Sequence, residues 1–302
     1  MSTLKKIVYQ WISKKFMDGC SAYNSLEVRK SCRSKEQARS VFATGNVPHA
    51  KGMIFLNPFK AQQFAKMHGF PLVIKPNVSG FSRGSHFPIT NYKELWKAIF
   101  LAKLWWPTTV VEQYLEGNNY RVVVAQGKIM SVLQRYSPFV TGNGTDSIST
   151  LIDSENAIRE KMGLYPCIHP LQKGSVTQKF LKKKNYTLNT IPADGEVVTL
   201  FYRISLAPGG VVRTIEKQTI PAVNQALFKD VLEMFGANIL GVDVIFEKGI
   251  ETNFRDQKCI FLEVNSRPYL KMHDFPRYGK KEDLSGYFDE LNALEISQVD
   301  VF

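Results

Sequence analysis

The sequence predicts an α+β fold, and three features carry that prediction. Helical and strand patterns alternate along the chain without the regular βαβ period of a doubly wound sheet. Two apolar runs, 120–125 and 128–134, are joined by Gln126-Gly127, the signature of an antiparallel hairpin. Two further strands, 239–246 and 259–264, lie close together near the C-terminal end and carry Asp243 and Glu263.

Each element has its own local reason. Residues 3–17 place Leu4, Ile7, Val8, Trp11, Ile12 and Phe16 on one helical face among lysines, which fits packing on the parent domain or docking on a membrane surface or partner. A helix opens at Ser34, an N-cap, and stops at Gly45. After a strand at 53–55, Asn57-Pro58 sets a cap before proline at the first helical position, and that helix ends at His68-Gly69. Residues 71–76 form a short apolar strand closed by proline, followed by a Ser/Gly-rich loop to Ser85. A helix over 91–104 precedes a strand over 107–114 and the turn Glu116–Asn119. Beyond the hairpin, a turn at 141–146 leads to a helix over 148–162 and an exposed basic helix over 178–185. A strand over 197–201 runs toward Pro208-Gly209-Gly210, and a helix over 221–235 ends at Gly236. The acidic strands follow, then a last helix over 281–294.

Composition narrows the function classes. With 302 residues, 44% of them apolar and 22% charged, the chain can bury a full core and is not a disordered sequence. No run of about 18 apolar residues offers a membrane span, and the N-terminus lacks the pattern of a signal peptide. Cys20, Cys32, Cys167 and Cys259 lie far apart with no CxxC pair, which argues against zinc and a disulfide framework and for reduced thiols in a cytoplasm. The net charge of +12 favours an anionic partner (nucleotide, acidic peptide, nucleic acid or anionic membrane) or serves solubility, and charge alone does not choose. Nucleic-acid binding has no other support.

Two constellations carry chemistry. Asp243 sits mid-strand among apolar residues, while Glu263 and Asn265, two apart, share one strand face. Burying such oxygen-bearing groups without a partner is costly, so together they call for a cation, and hard oxygens suit magnesium held jointly with phosphates. The alternative is that Asp243 caps a turn and Glu263 pairs with a lysine. The second constellation is Lys75 at a strand end, followed by a loop containing Gly80, Ser82, Gly84 and Ser85, whose backbone N–H groups are suited to cradle phosphate. It matches neither GxxxxGK[ST] nor GxGxxG; the lysine before it favours phosphate over an ordinary hairpin turn.

The order of these pieces resembles the ATP-grasp superfamily, in particular the ATP-grasp modules of cyanophycin synthetase and of bifunctional glutathione synthetases. The resemblance spans about residues 34–280. It rests on Lys35 at a helix start, Val73-Ile74-Lys75-Pro76 with its loop, Glu112–Arg121, Val140–Gly144, Gly209-Gly210, Gly241-Val242-Asp243, and Glu263–Pro268 with His273. It implies an ATP-grasp fold of two α+β lobes gripping ATP between antiparallel sheets. The lobes would be residues 34–115 and 116–280, flanked by an N-terminal extension (1–33) and a C-terminal helix and tail (281–302).

The implied roles follow position by position. Lys35 and Lys75 would hold the nucleotide phosphates, and the loop with Gly80, Ser82, Gly84 and Ser85 would close over them. Glu112, with the backbone of Gln113 and Leu115, would read the adenine, and Asn119 falls where relatives often have an acidic residue for the ribose. Asp243, Glu263 and Asn265 would bind one or two magnesium ions, with manganese as an alternative. A substrate carboxylate would attack the γ-phosphate, and an amine would take the acyl-phosphate to give an amide, ADP and phosphate. Arg121 and Arg203 would steady that intermediate. Here the chain departs from its relatives: Phe201–Pro208 replaces an arginine followed by asparagines, and Arg203 is shifted by two positions. The segment before Ser34 is also shorter than the usual preceding domain, so a dimer mate, a partner protein or a large peptide substrate would complete the substrate contacts. Lys182-Lys183-Lys184 would grip an acidic peptide or simply be solvated, and His273 would orient substrate or serve structure. The expected activity is thus an ATP-dependent carboxylate–amine ligase acting on an amino acid or peptide. A phosphotransferase and a nucleotide-binding regulatory protein are the alternatives.

Overall fold

A computed structural model describes residues 23–32, 35–77 and 84–294. The helix expected over 3–17, Ser34, and the loop residues Gly80 and Ser82 lie outside the described residues.

The first elements are α1 (Leu26–Ser31), α2 (Lys35–Thr44), β1 (Gly52–Phe55), α3 (Pro58–His68), β2 (Leu72–Pro76), β3 (His86–Ile89), α4 (Tyr92–Lys103) and β4 (Thr109–Gln113). The cap read at Asn57 and the stop read at Gly69 are in place. Asn57 Oδ1 accepts the Phe59 N–H at 3.0 Å, and α3 ends at Gly69 with φ 74°. Asn91 Oδ1 accepts the Glu94 N–H at 2.9 Å, and the Glu94 carboxylate accepts the Thr90 N–H at 2.8 Å. The four strands form one antiparallel sheet in the order β1-β4-β2-β3. Phe55, Phe64, Leu72, Ile74, Leu95, Ile99 and Val111 are buried together where α3 and α4 cover it. Segment 34–115 thus contains this sheet whole.

The hairpin is β5 (Asn118–Ala125) and β6 (Lys128–Tyr136). Gln126 and Gly127 have φ of 50° and 69°, the paired left-handed conformations of a tight two-residue turn. There follow β7 (Phe139–Thr141), α5 (Ile148–Lys161), α6 (Ser175–Lys183), β8 (Val197–Thr199), β9 (Val211–Thr214), α7 (Ala222–Met234), β10 (Ile239–Phe246), β11 (Cys259–Asn265) and α8 (Ser285–Asn292). A second sheet runs β11-β10-β5-β6-β9, and β7 pairs with β8.

The chain divides into two compact units. The first takes the described residues up to Val132, then Glu216–Tyr269 and those from Asp283 on; the second is Leu133–Ile215 with Leu270–Glu282. Strand β6 runs from the first into the second, where it pairs with β9. Inside the second unit Val140, Ile148, Ile152, Leu171, Leu181, Val198 and Leu200 form a buried group. There Glu155 accepts hydrogen bonds from Arg159 Nε at 2.9 Å and from Arg277 Nε and Nη2 at 2.9 Å each.

Several boundaries differ from those read in the sequence. The strand expected over 197–201 ends at Thr199, and the last helix is shorter, Ser285–Asn292. Helix α6 begins at Ser175 and buries Thr177 and Leu181, so it is not wholly exposed. Strands β3 and β9 have four residues each and no clean alternation; sheet pairing, not local pattern, makes them strands.

Candidate nucleotide and metal site

The site is built on the register of β10. Asp243 lies directly opposite Arg121 on β5 and Glu263 on β11, and Gly241 lies opposite Asn265. Residues opposite one another in a sheet share a face, so Arg121, Asp243, Glu263 and Asn265 project to one side. Asp243 is 4% exposed and is gripped by Arg121: Nε donates to Oδ1, and Nη2 donates to Oδ2 at 2.9 Å. Burial works to lower the Arg121 pKa, but the charge and hydrogen bonds of Asp243, with Glu263 behind it, raise it above its ordinary value. Arg121 on the neighbouring strand therefore supplies one cation for the buried Asp243.

Gly241 makes this packing fit. A Cβ there would stand 2.8 Å from Pro268 Cβ and 3.2 Å from Arg121 Nη1. The Asn265 side-chain nitrogen is buried with no hydrogen-bond partner among the described residues, so its amide has polar capacity in reserve. Among the described residues no group of three or more His, Cys, Asp or Glu could hold a metal; the set here is two carboxylates and an amide.

The two lysines expected at the phosphates, Lys35 and Lys75, come from the same unit. Lys75 on β2 and Glu112 on β4 are diagonal neighbours, since Glu112 is opposite Val73 and Lys75 opposite Val110. Lys75 Nζ donates to Glu112 Oε1 in a buried ion pair. Glu112 thus faces a lysine in this structure. Lys35 opens α2 with its Nζ 3.9 Å from Glu263 Oε2. Burial pushes the Lys35 pKa below 10.5; Glu263 opposes this, Lys75 adds to it, and Glu112 opposes it. Lys35, Lys75, Glu112 and Glu263 are therefore within electrostatic reach of one another.

Beside these groups a shallow depression is lined by Lys35, Arg39, Phe42, His49, Glu112 and Phe261, among others. Arg39 was missed in the sequence. It stands four residues after Lys35, hence on the same face of α2, and that i,i+4 spacing was the available signal. Its Nη1 is buried without a hydrogen-bond partner among the described residues.

The remaining expected residues are placed as follows. The Gln113 N–H bonds to the Lys51 carbonyl at 2.9 Å, and Leu115 lies two residues beyond, just past β4. Asn119 is buried on β5 opposite Ile245. Gly84 has φ 71°, and a Cβ on it would meet Trp105 at 2.7 Å; Ser85 beside it is buried. Arg203 belongs to the second unit. Its guanidinium lies 5.7 Å from the Phe201 ring centre and 5.6 Å from that of Tyr202, and its Nε donates to the Tyr202 hydroxyl at 3.2 Å. His273, also in the second unit, is buried in a short 3-10 turn.

No family model matches the chain. It is 29% identical over 266 residues to a cyanophycin synthetase of Trichormus variabilis, covering 86% of this chain but 29% of that protein. The chain thus spans less than a third of the curated relative's length. Its fold matches a bifunctional glutathione synthetase from Pasteurella multocida with a TM-score of 0.65, at 22% identity over 90% of this chain and 38% of the other. It also matches the ATP-grasp ligase PsnB, solved with a minimal precursor variant, Mg and ADP, with a TM-score of 0.51 at 14% identity over 90% of this chain and 61% of the other. The chain has the fold of the ATP-grasp ligases and is similar in sequence to the cyanophycin synthetases.

Proposed function

We propose that this chain is an ATP-dependent carboxylate–amine ligase acting on an amino acid or peptide. One observation carries the reading: a single compact unit sets Lys35 and Lys75 beside the sheet face that bears Glu263, Asn265 and Asp243. Cations for phosphate and oxygens for a metal stand next to each other.

The donor set fits magnesium. The Glu263 side chain is 38% exposed, Asn265 offers its amide oxygen, and the Asp243 oxygens keep lone pairs beyond those Arg121 occupies. Manganese suits the same oxygens. When bound, the ion neutralises charge on the phosphoryl oxygens.

This chain's residues would divide the remaining work. Lys35 and Lys75 hold the phosphates as point charges, and Arg39 adds a third cation from the same helix face as Lys35. Lys75 would exchange Glu112 for phosphate. The family resemblance assigns the loop with Gly80, Ser82, Gly84 and Ser85 to the same phosphates. Glu112 and the backbone of Gln113 and Leu115 read the base, with Asn119 at the ribose. Arg121 acts as a positioning residue that fixes the Asp243 carboxylate. An amine then displaces phosphate from the acyl-phosphate. An acidic peptide would suit the net charge of +12, and a second subunit or partner protein would complete substrate contacts. No described helix is long and apolar enough to cross a membrane, and a cytoplasmic enzyme is the location proposed.

The test is a screen of amino acids and peptides for ADP release, with mass spectrometry of the products. A product enlarged by one condensed residue supports the ligase. A product carrying phosphate would make the chain a phosphotransferase, and nucleotide binding without turnover on any acceptor would make it a regulatory protein.

A further inference from the structure

Helix α4 turns two different faces outward and inward. Leu95, Ala98, Ile99 and Ala102 are buried against the four-stranded sheet. The opposite side of such a helix is ordinarily polar. Here it carries Phe100, with Leu104 four residues on at the helix C-cap, while Trp96, one step earlier, is half-buried and packs against the core from the edge of that face. Phe100 is 65% and Leu104 69% exposed. The row continues onto the start of α3, where the Phe59 ring, 59% exposed, meets Trp96 edge to face at 5.5 Å. Leu56, 65% exposed, stands three residues before Phe59 in the chain, and the buried Phe55 ring lies under the Lys103 ammonium at 5.4 Å. These side chains form one apolar strip on the outside of the first unit, and contiguous strips of that kind mark interaction sites.

The charge around the strip is one-sided. Helices α3 and α4 carry Lys60, Lys66, Lys93, Lys97 and Lys103 against a single acidic residue, Glu94. Glu94 is already engaged by the Thr90 N–H and hydroxyl at the helix cap. Lys60, Lys93 and Lys97 have no carboxylate partner among the described residues, and all three are exposed. An aromatic and aliphatic strip rimmed by unpaired lysines combines the two terms that hold a protein on an anionic bilayer: shallow apolar insertion, and attraction to acidic headgroups.

We propose that the outer face of α3 and α4 docks on an anionic lipid surface. A second copy of the chain fits less well, because a two-fold contact through this face would set the lysine rim against itself. The proposal is independent of the ligase reading, since none of these residues belongs to the nucleotide site.

The experiment is co-sedimentation of the full chain with phosphatidylcholine vesicles, with and without about one third phosphatidylserine. Binding to the anionic vesicles alone or preferentially is expected. It should fall about tenfold or more in F100S/L104S and in K93E/K97E, with thermal unfolding unchanged in both. No binding to anionic vesicles overturns the proposal. So does equal binding by both variants, including the case in which deleting residues 3–17 abolishes it, for then another segment is the anchor. A concentration-dependent dimer dispersed by F100S/L104S, with no vesicle binding, would assign the face to a second copy.

Discussion

Replacing Asp243 by alanine should cost the fold far more than a metal ligand alone would explain. The side chains of Arg121 and Asp243 are 9% and 5% exposed, and two hydrogen bonds join them across neighbouring strands. In D243A the guanidinium stays buried without its counter-charge, and breaking a buried pair from one side costs about 3–5 kcal/mol. Removing both charges with residues of similar bulk, as in R121M/D243L, leaves no orphan and should cost less than about 1 kcal/mol or even stabilise. E263Q, on a half-exposed side chain 3.9 Å from Lys35, should stay within about 1 kcal/mol of the parent. Equilibrium urea unfolding followed by far-UV circular dichroism measures all three, at unchanged m-value. A loss below about 1 kcal/mol in D243A, or a double variant as unstable as the single one, would refute the buried-pair account. The practical consequence is that Asp243 variants confound metal binding with folding.

Other outcomes follow from the same geometry. Because burial lowers the Lys35 pKa, nucleotide affinity should start to fall with rising pH below the 10.5 of an ordinary lysine; K35R, which stays charged, should move that fall upward, and an identical profile would count against phosphate contact by Lys35. G241A forces a Cβ to 2.8 Å from Pro268 and should destabilise by about 1–3 kcal/mol in the same urea assay; a neutral result would mean that the Pro268 turn yields freely. Burial works to raise the Glu155 carboxyl, but hydrogen bonds and charge from Arg277 and Arg159 outweigh it and hold it below 4.5. Its stabilisation is therefore complete above that value and is lost as pH falls through the lower native one. Thermal unfolding from about pH 7 down to about pH 3 should show less acid sensitivity in E155Q than in the parent, and equal sensitivity would contradict the assignment.

Much of the fold was legible because its signals are local. Asn57-Pro58 with Gly69, Asn91 with Glu94, and Gln126-Gly127 each fix a helix end or a turn through their own backbone chemistry. The pairing that builds the site was not local. Arg121 and Asp243 are 122 residues apart, and only the register of β5 against β10 brings the expected metal carboxylate into a bidentate ion pair. Glu112 was read as a hinge residue from its motif, while its diagonal position to Lys75 depends on how β2 pairs with β4. Arg39 shows the opposite lapse: its spacing from Lys35 was visible, but nothing in the sequence marks that face of α2 as buried.

Lys35 and Lys75 together with Glu263 and Asn265 are proposed to form one magnesium–nucleotide site. That site is tested most directly by calorimetric titration of a non-hydrolysable ATP analogue, with and without magnesium, into the parent chain and E263Q/N265L. The account predicts magnesium-dependent binding in the parent, and loss of the magnesium dependence in the variant with thermal unfolding unchanged. Equal magnesium-dependent affinity in both proteins would contradict it.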